Sequence, residues 1–178
     1  VAISLVQSKV GTWASASVSL NSATTAGNCV IAMLTSTNGI SATSAAKLGG
    51  AADNFTKLEE SSVVPASVRD YSVIWADPNC AGGQTAITWT DTGSIQNTAY
   101  WIAEFSGITL VSPLDTGNTA GSTSGSWSVA FTSTFGTELW LAVVNTTFGT
   151  LAGSAGHGWT FINQADSSGN GSATFGWQ

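Results

Sequence analysis

Charged side chains are what this sequence has least of: 178 residues carry four Lys or Arg and ten Asp or Glu, 8% of the chain. The deficit is one-sided. All four cations, Lys9, Lys47, Lys57 and Arg69, precede residue 70, and no Lys or Arg follows as far as Gln178. A phosphate backbone is held by clustered cations, so a chain with a formal net charge of −6 is not expected to bind nucleic acid. Glu, Lys and Arg also populate helix surfaces, and their scarcity argues against helices. Long apolar runs are missing too. The longest, Cys29 to Leu34, has six residues, where a membrane-spanning helix needs roughly 20; membrane insertion is not expected. One His and two distant Cys are too few for a tetrahedral zinc set, and no Asp-rich calcium-hand loop occurs. Neither a metal nor an organic cofactor is expected. The chain opens on Val1 without a charged segment leading into an apolar one, which reads as a processed or excised start.

What replaces charge is hydroxyl and aromatic character. There are 25 Ser, 24 Thr and 20 Gly, while 43% of residues are hydrophobic and eight are Trp. That is ample for a core, so disorder is excluded. A low-lysine, acidic, hydroxyl-rich surface suits an extracellular or virion-surface location. Cys29 and Cys80, 51 positions apart, are compatible with either a disulfide or two buried thiols.

Hydrophobic alternation and turn residues predict eleven short strands: Val1 to Val6, Trp13 to Leu20, Cys29 to Thr35, Phe55 to Glu59, Tyr71 to Ala76, Thr85 to Thr90, Ala99 to Phe105, Trp127 to Thr132, Leu139 to Asn145, Trp159 to Asn163 and Ala173 to Trp177. Clusters such as Asn38-Gly39, Gly82-Gly83 and Asp91-Thr92-Gly93 punctuate them. Leu139 to Val144 is apolar on both faces, as for a central strand covered on both sides. Ala42 to Leu48 has the composition of a single helical turn. The expected fold is all-β: one domain over residues 1–178, a two-sheet antiparallel β-sandwich of jelly-roll or lectin-like type. Its expected core is Ile31, Met33, Ile74, Ile87, Ile102, Val129, Phe131, Leu141, Val143 and Phe161.

Several segments recur in a characteristic order: Ser4-Leu5-Val6-Gln7-Ser8, Ser22 to Asn28, Asn79-Cys80-Ala81-Gly82-Gly83, Glu104-Phe105-Ser106-Gly107 with Pro113-Leu114-Asp115, and Thr137-Glu138-Leu139. In these the chain resembles β-sandwich domains of bacteriophage virion proteins (minor tail, fibre and decoration proteins) and of secreted or surface bacterial proteins. The resemblance implies a fold and an assembly or adhesion context. It carries over no catalytic residue.

Catalytic constellations are sparse. His157 has no Gly-x-Ser-x-Gly nucleophile elbow to serve. Among Glu59, Glu60, Glu104 and Glu138, a glycosidase pair is a distant reading. Glu104 is the sharpest of these, set in an apolar strand where a carboxylate must be hydrogen-bonded, and a structural role accepting bonds from a neighbouring loop and fixing the Ser106-Gly107 turn explains it best. Three Asn-x-Ser/Thr sequons, at Asn54, Asn145 and Asn170, match chance for this composition.

Tryptophan is the informative excess, because aromatic faces stack on sugar rings. Trp75, Trp89, Trp127 and Trp177 share parity with core residues. Trp13, on a serine-lined face, and Trp159, after a glycine-rich loop, are the candidate ligand-binding rings, with His157 and Asn163 as polar neighbours. The expected function is therefore non-catalytic recognition of a glycan or cell-surface polymer. The alternative is a structural subunit that contacts copies of itself, as a homo-oligomer, or other virion proteins.

Overall fold

The computed structural model of the chain describes residues 2–12, 17–38, 45–48, 55–63, 70–90, 96–108, 115–119, 130, 132, 138–146, 158–165 and 172–178. Among them are eleven strands and no helix. In chain order the strands are β1 (Ser4–Gly11), β2 (Ser17–Ser19), β3 (Cys29–Asn38), β4 (Ala45–Leu48), β5 (Thr56–Val63), β6 (Asp70–Asp77), β7 (Ala86–Thr90), β8 (Gln96–Ser106), β9 (Leu141–Thr146), β10 (Thr160–Ala165) and β11 (Ser172–Trp177). They form three sheets, in the orders β1-β8-β3-β6-β5, β10-β11-β9 and β2-β7-β4. Every pairing is antiparallel.

The period of two along β3 explains how the sheets are layered. Val30, Ala32 and Leu34 point into a core shared with Val73, Trp75, Tyr100 and Ile102 of the same sheet and with Val18, Leu48, Ile87 and Trp89 of β2, β4 and β7. Ile31 and Met33 point the other way, into a second core with Trp101, Phe105, Ala173 and Phe175, edged by Leu141, Val143, Ile162 and Trp177. The five-stranded sheet thus has a three-stranded sheet on each face. A strand in that position has no wet side, which accounts for the unbroken apolar run Cys29 to Leu34. Burying each large side chain on these faces contributes about 1.5–3 kcal/mol.

Two connections carry the chain between layers together. Residues 20–28 lead from β2 to β3 and residues 77–85 from β6 to β7, and they stay hydrogen-bonded along the way. Leu20 N donates to Thr85 O, Thr24 N to Gln84 O and Gly83 N to Thr24 O, each at 2.8 Å, and Cys80 N donates to Asn28 O at 2.9 Å. The Thr24 hydroxyl adds a bond to Ala81 O at 2.7 Å. Backbone groups leaving one sheet therefore stay paired until they enter the next.

Four expectations need correction. There are three sheets, where two were expected. Ala45–Leu48 is a strand paired with β7, not a helical turn; its Leu48 is fully buried and belongs to the first core. β9 lies at the edge of its sheet among the described strands and is half-buried; the strands buried on both faces are β3, β6 and β8 of the central sheet and β11, whose residues Ser172 to Gly176 are all buried. Phe161 is not in either core: Ile162 takes the inward position and Phe161 the outward one. Trp127, Val129 and Phe131 lie outside the described residues.

Trp101 is fully buried and stacks on Trp177 at 5.2 Å between ring centroids, so it ties the central sheet to β11. We predict that Trp101→Ala costs about 3–5 kcal/mol of stability, read as a lowered urea midpoint. The exposed Thr160→Ala should stay within about 0.5 kcal/mol. A wild-type midpoint for Trp101→Ala would mean that these sheets do not pack as described.

Candidate binding site

The outward face of β9, β10 and β11 follows from register. Ala173 and Phe175 of β11 face the core, so Thr174 and Gly176 face away; opposite them on β10 stand Asn163 and Phe161. Phe161 fills the space above Gly176. A Cβ on that glycine would lie 2.6 Å from Phe161 Cε1 and 3.2 Å from Trp159 Cε3, so only glycine admits both rings. Trp159 is parallel to Phe161, with centroids 5.7 Å apart and planes 6° apart. Trp140, just before β9, meets Trp159 edge-on at 6.3 Å and 67°. Offset-parallel and edge-on contacts are the favourable aromatic geometries.

Polar groups surround the rings. Trp140 Nε1 donates to Glu138 Oε2 at 3.1 Å, and Thr174 Oγ1 donates to Asn163 Oδ1 at 2.6 Å. Trp140 and Gln178 exchange backbone bonds of 3.0 and 3.1 Å, which continue the β9/β11 ladder past its end. Gly158, at φ +84°, turns the chain into β10 beside the Gln178 side-chain amide. Trp159, Phe161 and Trp140 are half-buried, while Gly158, Asn163 and Gln178 are exposed. The arrangement offers apolar ring surface bordered by amide and carboxylate groups, with the Thr174 hydroxyl buried beneath Asn163.

Of the candidate residues read from the sequence, Trp159 and Asn163 are brought onto this one face. Trp13 and His157 lie outside the described residues. Trp140, Phe161, Gln178 and Glu138 belong to the site and were not among its expected residues. Trp159 and Phe161 share strand parity, and that signal was sufficient to place them side by side.

Glu104 serves a different purpose. It is fully buried at the end of β8, and donors converge on its carboxylate: Gln7 Nε2 on Oε2 at 2.6 Å, Thr25 N on Oε1 at 2.8 Å and Asn28 Nδ2 on Oε1 at 2.6 Å. Gln7 in turn bonds the backbone of Ser22 through both its amide atoms, at 3.2 and 3.0 Å. The segment fixed is thus 22–28, rather than the Ser106-Gly107 turn expected. Burial pushes the Glu104 pKa up, but the donors from Gln7, Thr25 and Asn28 outweigh it and hold the group below its ordinary 4.5. No solvent-facing carboxylate remains there for acid–base chemistry.

Cys29 and Cys80 are both buried and unbridged. Burial, with Asp77 and the other thiol nearby, pushes Cys29 up to about 12. Burial, Asp77 and Glu104 push Cys80 up to about 11 despite hydrogen bonds involving Thr24 and Asn28. Neither is a thiolate nucleophile at neutral pH. The sequon asparagine Asn145 donates from Nδ2 to Ser36 O at 3.1 Å, which occupies the nitrogen that glycosylation would modify.

No protein-family model matches the chain, and no curated protein or solved structure matches it significantly. The functional reading rests on the chain's own geometry.

We predict that Glu104→Gln lowers stability by about 1–3 kcal/mol, because an amide NH2 would face donors that a carboxylate accepts. The linkage has a definite sign. A carboxylate lowered in the folded state contributes stability that is complete above its ordinary 4.5 and is lost as pH falls through the lower folded value. Urea midpoints measured from pH 7 to pH 2 should fall more steeply below about 4.5 for the wild type than for Glu104→Gln. Parallel curves would assign the acid sensitivity to other groups.

Proposed function

We propose that the chain is a non-catalytic recognition module whose outward β9–β11 face binds a glycan or cell-surface polymer, on an all-β sandwich of lectin-like type. The observation that carries this reading is the Trp140–Trp159–Phe161 cluster, half-exposed on an outward sheet face and bordered by Asn163, Gln178 and Glu138. Sugar rings present an apolar face and a rim of hydroxyls, and the cluster presents rings with hydrogen-bonding groups at their border. An extracellular or virion-surface location accompanies the proposal, supported by the low charge and hydroxyl-rich composition.

A second reading is a structural subunit of a virion or extracellular assembly, in line with the resemblance noted for the sequence. Leu5 and Val6, 39% and 49% exposed on β1, support it, since β1 is at the edge of the five-stranded sheet. The β1/β8 register shifts between Leu5 and Gln7 at this point, and a bulge discourages simple strand addition. The glycan reading is therefore placed first.

On that reading, Trp159→Ala should weaken polysaccharide binding by about 1–3 kcal/mol and Asn163→Ala by about 0.5–1.5 kcal/mol, in variants that still unfold cooperatively and are folded under the binding conditions. Affinity electrophoresis through polysaccharide-containing gels measures this. A folded Trp159→Ala that binds as tightly as wild type would move the site elsewhere. If Leu5→Asp instead converts an oligomer to a monomer in sedimentation while wild type binds no glycan, the structural reading takes its place.

A further inference from the structure

We propose that the aromatic face is selective by charge: it takes uncharged polysaccharide and rejects acidic polymers such as uronates and sulfated glycans. This rests on the glycan reading above and adds to it the class of ligand. β9, β10 and β11 contain no Asp, Glu, Lys or Arg. Among the described residues, the formal charge bonded to the rings is negative, that of Glu138, whose Oε2 accepts from Trp140 Nε1. Glu138 flanks the β9 end of the cluster, so a ligand lying across the rings comes close to it.

The cations are elsewhere. Lys9 Nζ donates to Ser19 O at 2.9 Å, on the side of β1 that meets the β2 connection. Lys57 is paired with Glu60 on β5, at the opposite edge of the central sheet from β1. Lys47 belongs to β4, in the three-stranded sheet across the central layer from β9–β11, and Arg69 lies outside the described residues. Recognition of a carboxylate or sulfate relies on Arg or Lys in direct, often bidentate contact, and the described residues of this face supply neither. An acidic sugar would instead bring a like charge toward Glu138, within a molecule whose net charge of −6 already repels polyanions. For uncharged sugars none of these terms arises, and stacking with amide and hydroxyl contacts is sufficient.

The test uses one polymer in two charge states. Wild-type protein is screened at pH 8 against neutral polysaccharides (dextran, mannan, soluble β-glucan) by affinity electrophoresis. Any polymer bound is then compared with its C6-carboxylated derivative. Expected are Trp159-dependent binding of the neutral form, less than about twofold change between 20 and 500 mM NaCl because no ion pair is involved, and at least about tenfold weaker binding of the carboxylated form at low salt. Glu138→Gln should narrow that gap, a rescue that a purely steric effect of the new group would not show. Equal or tighter Trp159-dependent binding of the carboxylated form, or a gap unchanged by Glu138→Gln, overturns the charge inference and leaves the glycan reading standing. Binding of no polymer, or binding untouched by a folded Trp159→Ala, overturns the glycan reading for this face and the inference with it.

Discussion

Burial of both faces of β3, β6 and β8 is the constraint on which the rest of the fold depends. A strand covered on one side can spend alternate positions on polar residues, but these strands must be apolar on both faces along their central stretches. Val30 to Leu34, Val73 to Ala76 and Ala99 to Ala103 meet that demand. Two separate cores result, and each closes only when its own three-stranded sheet docks. Such sheets are small, and β2 has just three residues. Their stability comes from the layer they cover, because isolated short strands lack enough buried surface to hold together in water.

The two cores are coupled at one end by polar groups. Residues 20–28 and 77–85 cross between layers as a hydrogen-bonded pair, and Glu104 anchors the first of them to β8 and, through Gln7, to β1. A buried carboxylate is costly alone, yet its multiple donors make it a strong acceptor in a region where backbone turns leave N–H groups to satisfy. Lys9 and Asn21 extend the same arrangement: Lys9 Nζ bonds Ser19 O and Asn21 Nδ2 bonds Ser8 O, so the 19–22 segment is held along the edge of β1. The protein thereby shields much of an edge strand without the lysine-rich surface that edges commonly carry.

Local patterning revealed the strands well and the layering poorly. Ten of the eleven expected strands overlap observed ones, and the eleventh, Trp127 to Thr132, lies outside the described residues apart from Ala130 and Thr132. β4 was hidden because Ala45-Ala46-Lys47 has little β propensity, and pairing with β7 overrides it. The doubly buried run at Cys29 and the apolar run at Leu139 look alike in sequence, but among the described strands one is central and the other an edge strand whose outward Ala142 and Val144 sit beside Gly176 and Thr174. Strand order is a long-range property that periodicity does not encode. The role of Glu104 was legible as a satisfied buried acid, whereas its partners Gln7, Thr25 and Asn28 come from positions 76 to 97 residues away.

The aromatic face combines structural necessity with a surplus. Gly176 in the middle strand of a sheet leaves a gap that one ring can cover, and Phe161 covers it. Folding asks for nothing more there, because Ile162, Phe175 and Val143 already close the inner side of the same sheet. Trp159 and Trp140 nevertheless extend the ring cluster across the outward side, and neither is fully buried by doing so. Half-exposed tryptophan carries a hydration cost that core tryptophan such as Trp101 avoids. Rings retained in that state, at the border of exposed amides and a carboxylate and on strands that carry no cation, fit a surface that meets a polar, uncharged ligand better than one that only completes a fold.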